Sequence, residues 1–221
     1  MASVTPIKGD TYADQVHALL TGIANGLGDE YVDTSANTGK LSRNRKGDGV
    51  LSIDGGAARV VFEMTDSARR GWTPYLDEAE RNRDATAALG LVRTIDQNEG
   101  HTVRNLGPRR IVMAFDPERD DPSLLRTVVM VLRTASLAVS SRSGAHEIAT
   151  AEEKVAAALT ALTDIDEIKK VSEAISKNAS KIDSRCSRIT TTVNRLLNEA
   201  LDALGGVDLR AAELQSQEGA A

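Results

Sequence analysis

The sequence predicts a mixed α/β unit followed by a long helical segment, and two observations lead to this prediction. Between residues 11 and 140, short apolar runs alternate with segments of helical period, which is typical of a mixed sheet flanked by helices. From Ile148 to Leu204 the chain has no glycine or proline and is rich in alanine, lysine and glutamate, which favours continuous helix. We therefore expect an α/β (α+β) domain over 1–145, an antiparallel helical hairpin or coiled coil over 146–206, and a flexible tail over 207–221.

The composition limits the class of protein. With 41% hydrophobic and 27% charged residues the chain fits a globular protein, and with 3% aromatic residues its core must consist mainly of Val, Leu, Ile and Ala. The net charge of -5 means that nucleic-acid binding would require a local basic patch. A single cysteine excludes an intrachain disulfide and a cysteine metal cluster. No apolar run approaches the roughly 18 residues of a membrane span. The N-terminus lacks a signal pattern, so we expect a cytoplasmic protein without membrane contact.

Local signals set the expected boundaries in the α/β region. Thr11 is a helix cap, and apolar residues at helical spacing extend from Tyr12 to Leu27. The polar stretch 34–47 predicts a surface loop, and Asp54-Gly55-Gly56 predicts a tight turn between strands 50–53 and 59–64. The remaining predicted elements are a helix over 74–88, strands over 89–95 and 110–115, and a helix over 123–140.

A seven-residue repeat runs through the C-terminal segment. A turn near Thr163-Asp164 predicts two helices, 148–163 and 164–204, and Gly205-Gly206 is expected to end the second. Two columns of residues in the second helix recur every seven residues, with the spacing of a coiled coil. The column of large residues is Ile168, Ile175, Ile182, Ile189 and Leu196. The column of mostly small residues is Ile165, Ser172, Ala179, Cys186, Val193 and Ala200.

The first of these two helices is the expected antiparallel partner of the second, through Val155, Leu159 and Leu162. A second copy of the chain is the alternative partner. The second helix is more than twice as long as the first, so part of its apolar stripe would stay uncovered in a monomer. We therefore expect a homo-oligomer, with a dimer as the simplest form.

Two carboxylates form a candidate site. Asp48 follows Gly47 at the start of one predicted strand, and Glu63 lies near the end of the next, so a hairpin brings both to the same edge of the sheet. With the Met64 carbonyl they would offer oxygen ligands to Mg²⁺, which polarises a phosphate and lowers the pKa of a bound water. A turn role is the plain alternative for Asp48. Glu63, after Val60-Val61-Phe62, is costly to bury unless it is paired or metal-bound.

Gly47-Asp48, a gap of 14 residues and then Phe62-Glu63-Met64-Thr65 resemble the motif of the PD-(D/E)XK nuclease superfamily. The order of elements over residues 10–140, including the charged helix with Glu80-Arg81-Asn82-Arg83-Asp84, looks like an uncharacterised bacterial branch that continues into a helical region. The resemblance implies a restriction-endonuclease-like mixed sheet flanked by helices. It also implies that Asp48 and Glu63 are catalytic and metal-binding, that Mg²⁺ is a cofactor, and that DNA is a partner.

The third motif position departs from that superfamily. Active members carry lysine two residues after the glutamate, where it stabilises charge at the attacking water and the phosphate, and this chain has Thr65 there. No lysine lies between Lys46 and Lys154, which leaves Lys46, Arg81 and Arg83 as basic surrogates. Arginine stabilises a phosphate but is a poor proton acceptor. We therefore expect impaired catalysis. A protein that binds DNA without cleaving it would not require Mg²⁺.

Basic residues near the carboxylates predict nucleic-acid contacts, with a solvated surface as the alternative. They lie in the polar loop and on the charged helix: Lys40, Arg43, Arg45, Lys46, Arg81 and Arg83. Three functions follow, in order of preference. The first is a nuclease-fold protein that binds DNA or an assembly partner without cutting. The second is an active Mg²⁺-dependent nuclease with a displaced basic residue, and the third is a structural protein that oligomerises through its C-terminal helices.

Overall fold

The computed structural model describes the backbone of residues 11–141 and 145–218 and the side chains of residues 11–141 and 146–203. Its helices are α1 (Tyr12–Leu27), α2 (Trp72–Arg83), α3 (Pro122–Ser140), α4 (Ala145–Thr163) and α5 (Ile165–Glu218). Its strands are β1 (Glu30–Asp33), β2 (Gly49–Ile53), β3 (Ala58–Thr65), β4 (Ala87–Val92), β5 (Val103–Gly107) and β6 (Arg110–Ala114). The predicted mixed α/β class is confirmed.

The six strands form one mixed sheet in the order β1-β2-β3-β4-β6-β5. The first three pair antiparallel, β3, β4 and β6 run parallel, and β5 returns antiparallel to β6. Because β3 and β4 are parallel, the chain needs a crossover between them, and α2 supplies it. Strand β3 lies between β2 and β4, inside the sheet, as predicted.

Local hydrogen bonds begin and end the first helix. The Thr11 hydroxyl accepts from the Asp14 N–H at 3.2 Å, and the Asp14 carboxylate accepts from the Thr11 N–H at 2.9 Å, which forms a capping box. Gly28, with φ of 75°, takes the left-handed conformation that closes α1. The predicted cap at Thr11 is confirmed.

Helices cover both faces of the sheet. On one face α1 and α3 pack over a core that includes Phe62 and Leu89. On the other face α2 packs through Trp72 and Leu76 over a smaller core that includes Val61. Successive side chains of a strand point to opposite faces, so β3 directs Val61 and, two residues later, Glu63 toward α2.

Helix α4 belongs to the α/β unit. Its Val155, Leu159 and Leu162 are buried in the same core as α1 and α3, and the helix lies against α3 and β5. Contacts divide the chain after Glu167 into two compact units, which differs from the predicted boundary at residue 145. The reason is that the apolar residues of α4 serve the core over the sheet.

Two edge strands, β1 and β5, have no counterpart among the predicted elements. Both carry polar residues, such as Glu30 and Asp33 in β1 and Arg104 and Asn105 in β5. Edge strands are covered on fewer sides than central ones, so they lack the apolar run that identifies a buried strand.

The predicted end of the helix over 74–88 is wrong, because α2 stops at Arg83. The predicted start of the next strand, at residue 89, is also wrong, because β4 begins at Ala87. Asp84 is left-handed with φ of 55°, and the following residue bonds back to the Glu80 carbonyl, which closes the helix. Ala87 and Ala88 favour helix intrinsically but are fully buried in the central strand β4. Packing in the sheet overrides their propensity.

Helix α5 extends further than predicted. It continues through Gly205-Gly206 to Glu218, so the predicted stop is wrong and most of the predicted flexible tail 207–221 is helical. The last three residues of that tail lie outside the described residues. Glycine costs about 1 kcal/mol relative to alanine in a helix, which is too little to end a long helix when no proline follows.

Among the described residues one helix, α3, is long and apolar enough by composition to cross a membrane. Its apolar side chains, including Leu125, Val128 and Leu132, are buried in the core over the sheet. Length and hydropathy are equally typical of the core helix of a globular domain.

We expect Gly90→Ala to destabilise the α/β unit. Gly90 lies in β4, and a Cβ atom there would come within 2.6 Å of the Trp72 ring. Overpacking of this kind lowers the free energy of unfolding by about 1–3 kcal/mol. Urea denaturation measures the change.

The matched control is Gly22→Ala in α1, where an added Cβ meets no atom within 4 Å. Alanine forms helix better than glycine, so this change should raise the free energy of unfolding by about 0.5–1 kcal/mol. Similar effects at the two positions would contradict the close packing of Trp72 on β4.

Candidate functional site

The β2–β3 hairpin places the two predicted carboxylates at facing positions of its two chain segments. Gly49 of β2 pairs with Phe62 of β3, so Asp48 and Glu63 occupy the next position of each chain segment. The Asp48 N–H continues the ladder and donates to the Phe62 carbonyl at 2.8 Å. Both carboxylates therefore lie at the same end of the strand pair, as the sequence predicts.

Hydrogen bonds cross-link these two segments through the carboxylates. Glu63 is 4% exposed, and its Oε1 accepts from the Gly47 N–H. In the opposite direction, Asp48 Oδ2 accepts from the Met64 N–H at 2.7 Å. The second oxygen of Glu63 accepts from the Tyr75 hydroxyl at 2.9 Å. Glu63 thus joins the loop before β2, strand β3 and helix α2.

Burial weakens the acidity of this pair. Loss of water contact and the neighbouring Asp48 charge raise the pKa of Glu63 to about 7. Burial also raises the pKa of Asp48, although the bond from the Met64 N–H acts in the opposite direction. Near neutral pH the pair therefore carries less than its full negative charge.

The residues present fit a resident divalent cation poorly. Both oxygens of Glu63 already accept hydrogen bonds, from the Gly47 N–H and the Tyr75 hydroxyl. Over the part of the chain that the structure describes, no cluster of three or more His, Cys, Asp or Glu side chains could hold a metal ion. Mg²⁺ prefers six oxygen ligands. Of the two predicted carboxylate ligands, only Asp48 keeps an oxygen that is not bonded to a described residue.

The basic loop forms one wall of an open polar cleft next to the carboxylates. The cleft has a volume of about 550 Å³ and is lined by Ser35, Ser42, Arg43, Asn44, Arg45, Lys46, Asp48 and Tyr75. Lys46 pairs with Glu78 and lies 4.5 Å from the centre of the Tyr75 ring. Lys40 lies outside the cleft lining and pairs with Asp84 at 2.6 Å.

Arg43 and Arg45 differ from the two lysines. Both are exposed, and neither forms an ion pair with any residue that the structure describes. The loop from Thr34 to Gly47 contains no acidic residue that could neutralise them. They are therefore the available positive charges at the cleft.

Arg83, which the sequence predicts to contact nucleic acid, is buried in the structure. Its side chain is 8% exposed. The guanidinium donates to the carbonyls of Thr34, Asn37, Arg45 and Gly47 at 2.8–3.0 Å. These bonds fix the loop against the end of α2, and they leave the charge inside the protein.

Among the described residues, Arg81 and Thr65 form no hydrogen bond with Asp48 or Glu63. Arg81 is exposed on α2, where its Nε donates to the Asp77 carbonyl of its own helix at 3.3 Å, and it does not line the cleft. Thr65 ends β3, and its hydroxyl lies 2.8 Å from the Ser67 hydroxyl. Thr65 therefore brings no positive charge to the motif position.

Sequence reasoning missed Tyr75 and Arg69. Tyr75 donates to Glu63, and the Arg69 guanidinium lies 3.8 Å from the centre of the Tyr75 ring and lowers the pKa of Glu63. A signal was present, because Tyr75 falls in the first turn of the helix that follows β3. The start of a crossover helix lies close to the end of the preceding parallel strand.

Comparison with protein-family models, with curated proteins and with solved structures found no match to this chain. The resemblance to the PD-(D/E)XK superfamily therefore depends on the motif positions and the order of elements alone.

We expect the pH dependence of stability to report on Glu63. A carboxyl whose pKa rises from 4.5 to about 7 on folding binds its proton more tightly in the folded state. This contribution is fully present below pH 4.5 and is lost as the pH rises toward 7, by up to about 3 kcal/mol. Glu63→Gln removes this titration, so the stability of the variant should fall less over this range than that of the unaltered protein. Urea denaturation between pH 5 and pH 8 measures the difference.

Glu78→Gln is the matched control. The ion pair with Lys46 lowers the pKa of Glu78, so this carboxyl stays ionised from pH 5 to pH 8. Its variant should shift the stability curve without changing its slope. Parallel curves for Glu63→Gln and the unaltered protein would contradict the raised pKa of Glu63.

Proposed function

We propose that the α/β unit binds the phosphate backbone of DNA at the polar cleft and does not cleave it. The observation that supports this proposal is the pair of exposed arginines, Arg43 and Arg45, on a cleft wall without acidic neighbours in the loop. Guanidinium groups suit phosphate oxygens because they donate two parallel hydrogen bonds and stay charged at all relevant pH values.

The charge balance at the cleft favours a phosphate over a metal. Lys40 and Lys46 are offset by Asp84 and Glu78, so Arg43 and Arg45 carry the uncompensated charge. The one carboxylate in the lining, Asp48, has a raised pKa, and its Oδ2 accepts a hydrogen bond from the Met64 N–H. Contacts of this kind to phosphates carry no base information, so we expect binding with little sequence preference.

The same geometry argues against cleavage. A nuclease of the resembled superfamily needs free carboxylate oxygens for Mg²⁺ and a lysine beside them. Here Glu63 is bonded to Gly47 and Tyr75, and Thr65 stands where the lysine would be. An active Mg²⁺-dependent nuclease with a displaced basic residue is the competing function.

We expect Arg43→Ser/Arg45→Ser to weaken DNA binding about tenfold or more at 50 mM salt, because two charge-assisted contacts are lost. The slope of log affinity against log salt concentration should become shallower by about two, since each phosphate contact contributes roughly 0.9. Fluorescence anisotropy with a labelled 30-base-pair duplex, repeated with single-stranded DNA, measures both quantities.

Arg119→Ser/Arg126→Ser is the control with the same change in net charge. Both arginines are exposed and neither lines the cleft. This variant should retain the salt slope of the unaltered protein. Equal losses in the two double variants would show that binding reflects net charge only, and no binding at low salt by the unaltered protein would overturn the proposal.

We expect no cleavage of linear, supercoiled or single-stranded DNA by the unaltered protein with Mg²⁺ or Mn²⁺. A positioned charge at the reacting phosphate typically contributes roughly 10²–10³ in rate, and Thr65 has none. Thr65→Lys restores the charge but leaves both oxygens of Glu63 bonded to Gly47 and Tyr75, so it should also show no metal-dependent nicking of supercoiled plasmid.

Thr65→Ser is the control for this assay, because it keeps a hydroxyl and adds no charge. Robust cleavage by the unaltered protein that disappears in Glu63→Ala would show that Lys46 or Arg69 supplies the missing charge. That result would favour the active nuclease.

A further inference from the structure

The seam of α5 points to a specific partner: we infer that α5 pairs antiparallel with α5 of a second copy of this chain. The seam consists of the two heptad columns, one of large apolar residues and one of mostly small residues. This inference is independent of the DNA proposal, because it concerns only the segment after Glu167.

The large column and its neighbours are unusually exposed for apolar side chains. The exposed fractions run from 46% to 68% over Ile168, Val171, Ile175, Ile182, Ile189, Val193, Leu196, Leu197 and Leu201. Contiguous apolar surface of this kind marks an interaction site. At 1.5 Å per residue, the stretch from Ile168 to Leu201 is about 50 Å long.

Helix α4, the partner expected from the sequence, does not have the apolar surface to cover this stretch. Its Val155, Leu159 and Leu162 are 6%, 1% and 7% exposed and belong to the core over the sheet. The exposed positions of α4 carry residues such as Glu152, Glu153 and Ala156. Helix α4 therefore has no free apolar stripe that matches the seam of α5.

The area of the seam suits a dimer. Nine large apolar side chains, each about half to two thirds exposed, offer on the order of 1,000 Å² per copy, so two copies would bury on the order of 2,000 Å². This lies at the upper end of the range for stable, specific interfaces. No position in either column from Ile168 to Ala200 carries a charge, so pairing buries no unpaired ion. Lys177, Lys181 and Arg188 lie outside both columns.

The alternation of column sizes selects an antiparallel arrangement of two identical helices. In a parallel pair each column faces itself, so isoleucine meets isoleucine while alanine and serine meet each other and leave gaps. In an antiparallel pair each column faces the other, and every layer then combines one large with one small residue, which fills space evenly.

One alignment pairs every small residue with a large one. It places Ser172 opposite Leu196 of the second copy, Ala179 opposite Ile189, Cys186 opposite Ile182, Val193 opposite Ile175, and Ala200 opposite Ile168. Sliding one helix by a heptad sets Ile165 against the equally large Leu196 in one direction and Ser172 against the small Ala203 in the other. The second copy is thus a partner whose size pattern matches this seam along its length.

Cross-linking in the full-length protein tests the pairing and its direction. The antiparallel alignment places residue 182 against Cys186 of the second copy, so Ile182→Cys should form a covalent dimer on mild oxidation, seen on a non-reducing gel. The unaltered protein should not, because Cys186 faces Ile182 and not its own counterpart. Light scattering at 10–100 μM should give twice the chain mass of 23.5 kDa for both proteins.

The matched control is Ser184→Cys, which adds a cysteine two residues away on the face opposite the seam and should give no covalent dimer. A covalent dimer of the unaltered protein through Cys186 would overturn the antiparallel arrangement in favour of a parallel one. A monomer by light scattering for the unaltered protein, with no cross-link in Ile182→Cys, would overturn the pairing itself. Circular dichroism confirms that each variant keeps its helix content.

Discussion

The buried carboxylate of Glu63 connects the elements that meet at the cleft. It accepts hydrogen bonds from the Gly47 backbone and from the Tyr75 hydroxyl, so it holds the loop and α2 against β3. An isolated carboxylate in this position would be costly, and the two donors offset that cost. Burial and the Asp48 charge raise the pKa of Glu63 to about 7, so near neutral pH this carboxyl is only partly ionised.

The loop from Thr34 to Gly47 has no regular secondary structure and depends on donors from α2. Arg83 donates to four of its carbonyls, and Asn82 donates to the carbonyls of Asn44 and Lys46. Backbone groups that are turned away from water need such partners. Gly47 fits between them because its φ of 94° and the close approach of the Arg83 side chain both exclude a Cβ atom. The exposed Arg43 and Arg45 are therefore carried by a loop whose base is fixed.

The sequence predicts the central elements well because their signals are local. The capping box of α1, the β2–β3 hairpin and the apolar strand β6 each follow from a few adjacent residues. The edge strands β1 and β5 were not predictable from apolar patterning, because their partners on the sheet define them. The end of α2 depends on Asp84 and on the burial of Ala87 and Ala88 in β4, which no local signal indicates.

For the candidate site, the sequence predicts that Asp48 and Glu63 lie together, since the turn at Asp54-Gly55-Gly56 sets the register of the two strands. It does not predict that Arg83 turns inward or that Tyr75 bonds to Glu63, because both contacts join segments far apart in the chain. Charge alone suggests that three of the predicted arginines are equivalent. In the structure, Arg81 is exposed on α2, Arg83 is buried, and Arg43 lines the cleft.

The reciprocal bonds between Asp48 and Glu63 and the facing backbone have a consequence for how such motifs persist in evolution. Replacing either acid would leave a backbone N–H without its acceptor, so selection for a stable fold preserves both residues whether or not any reaction takes place. The pairing of the two acids is therefore explained by the fold alone, without any reaction. Thr65 bonds to the Ser67 hydroxyl and to no facing backbone group among the described residues, so the hairpin places no comparable constraint on that position.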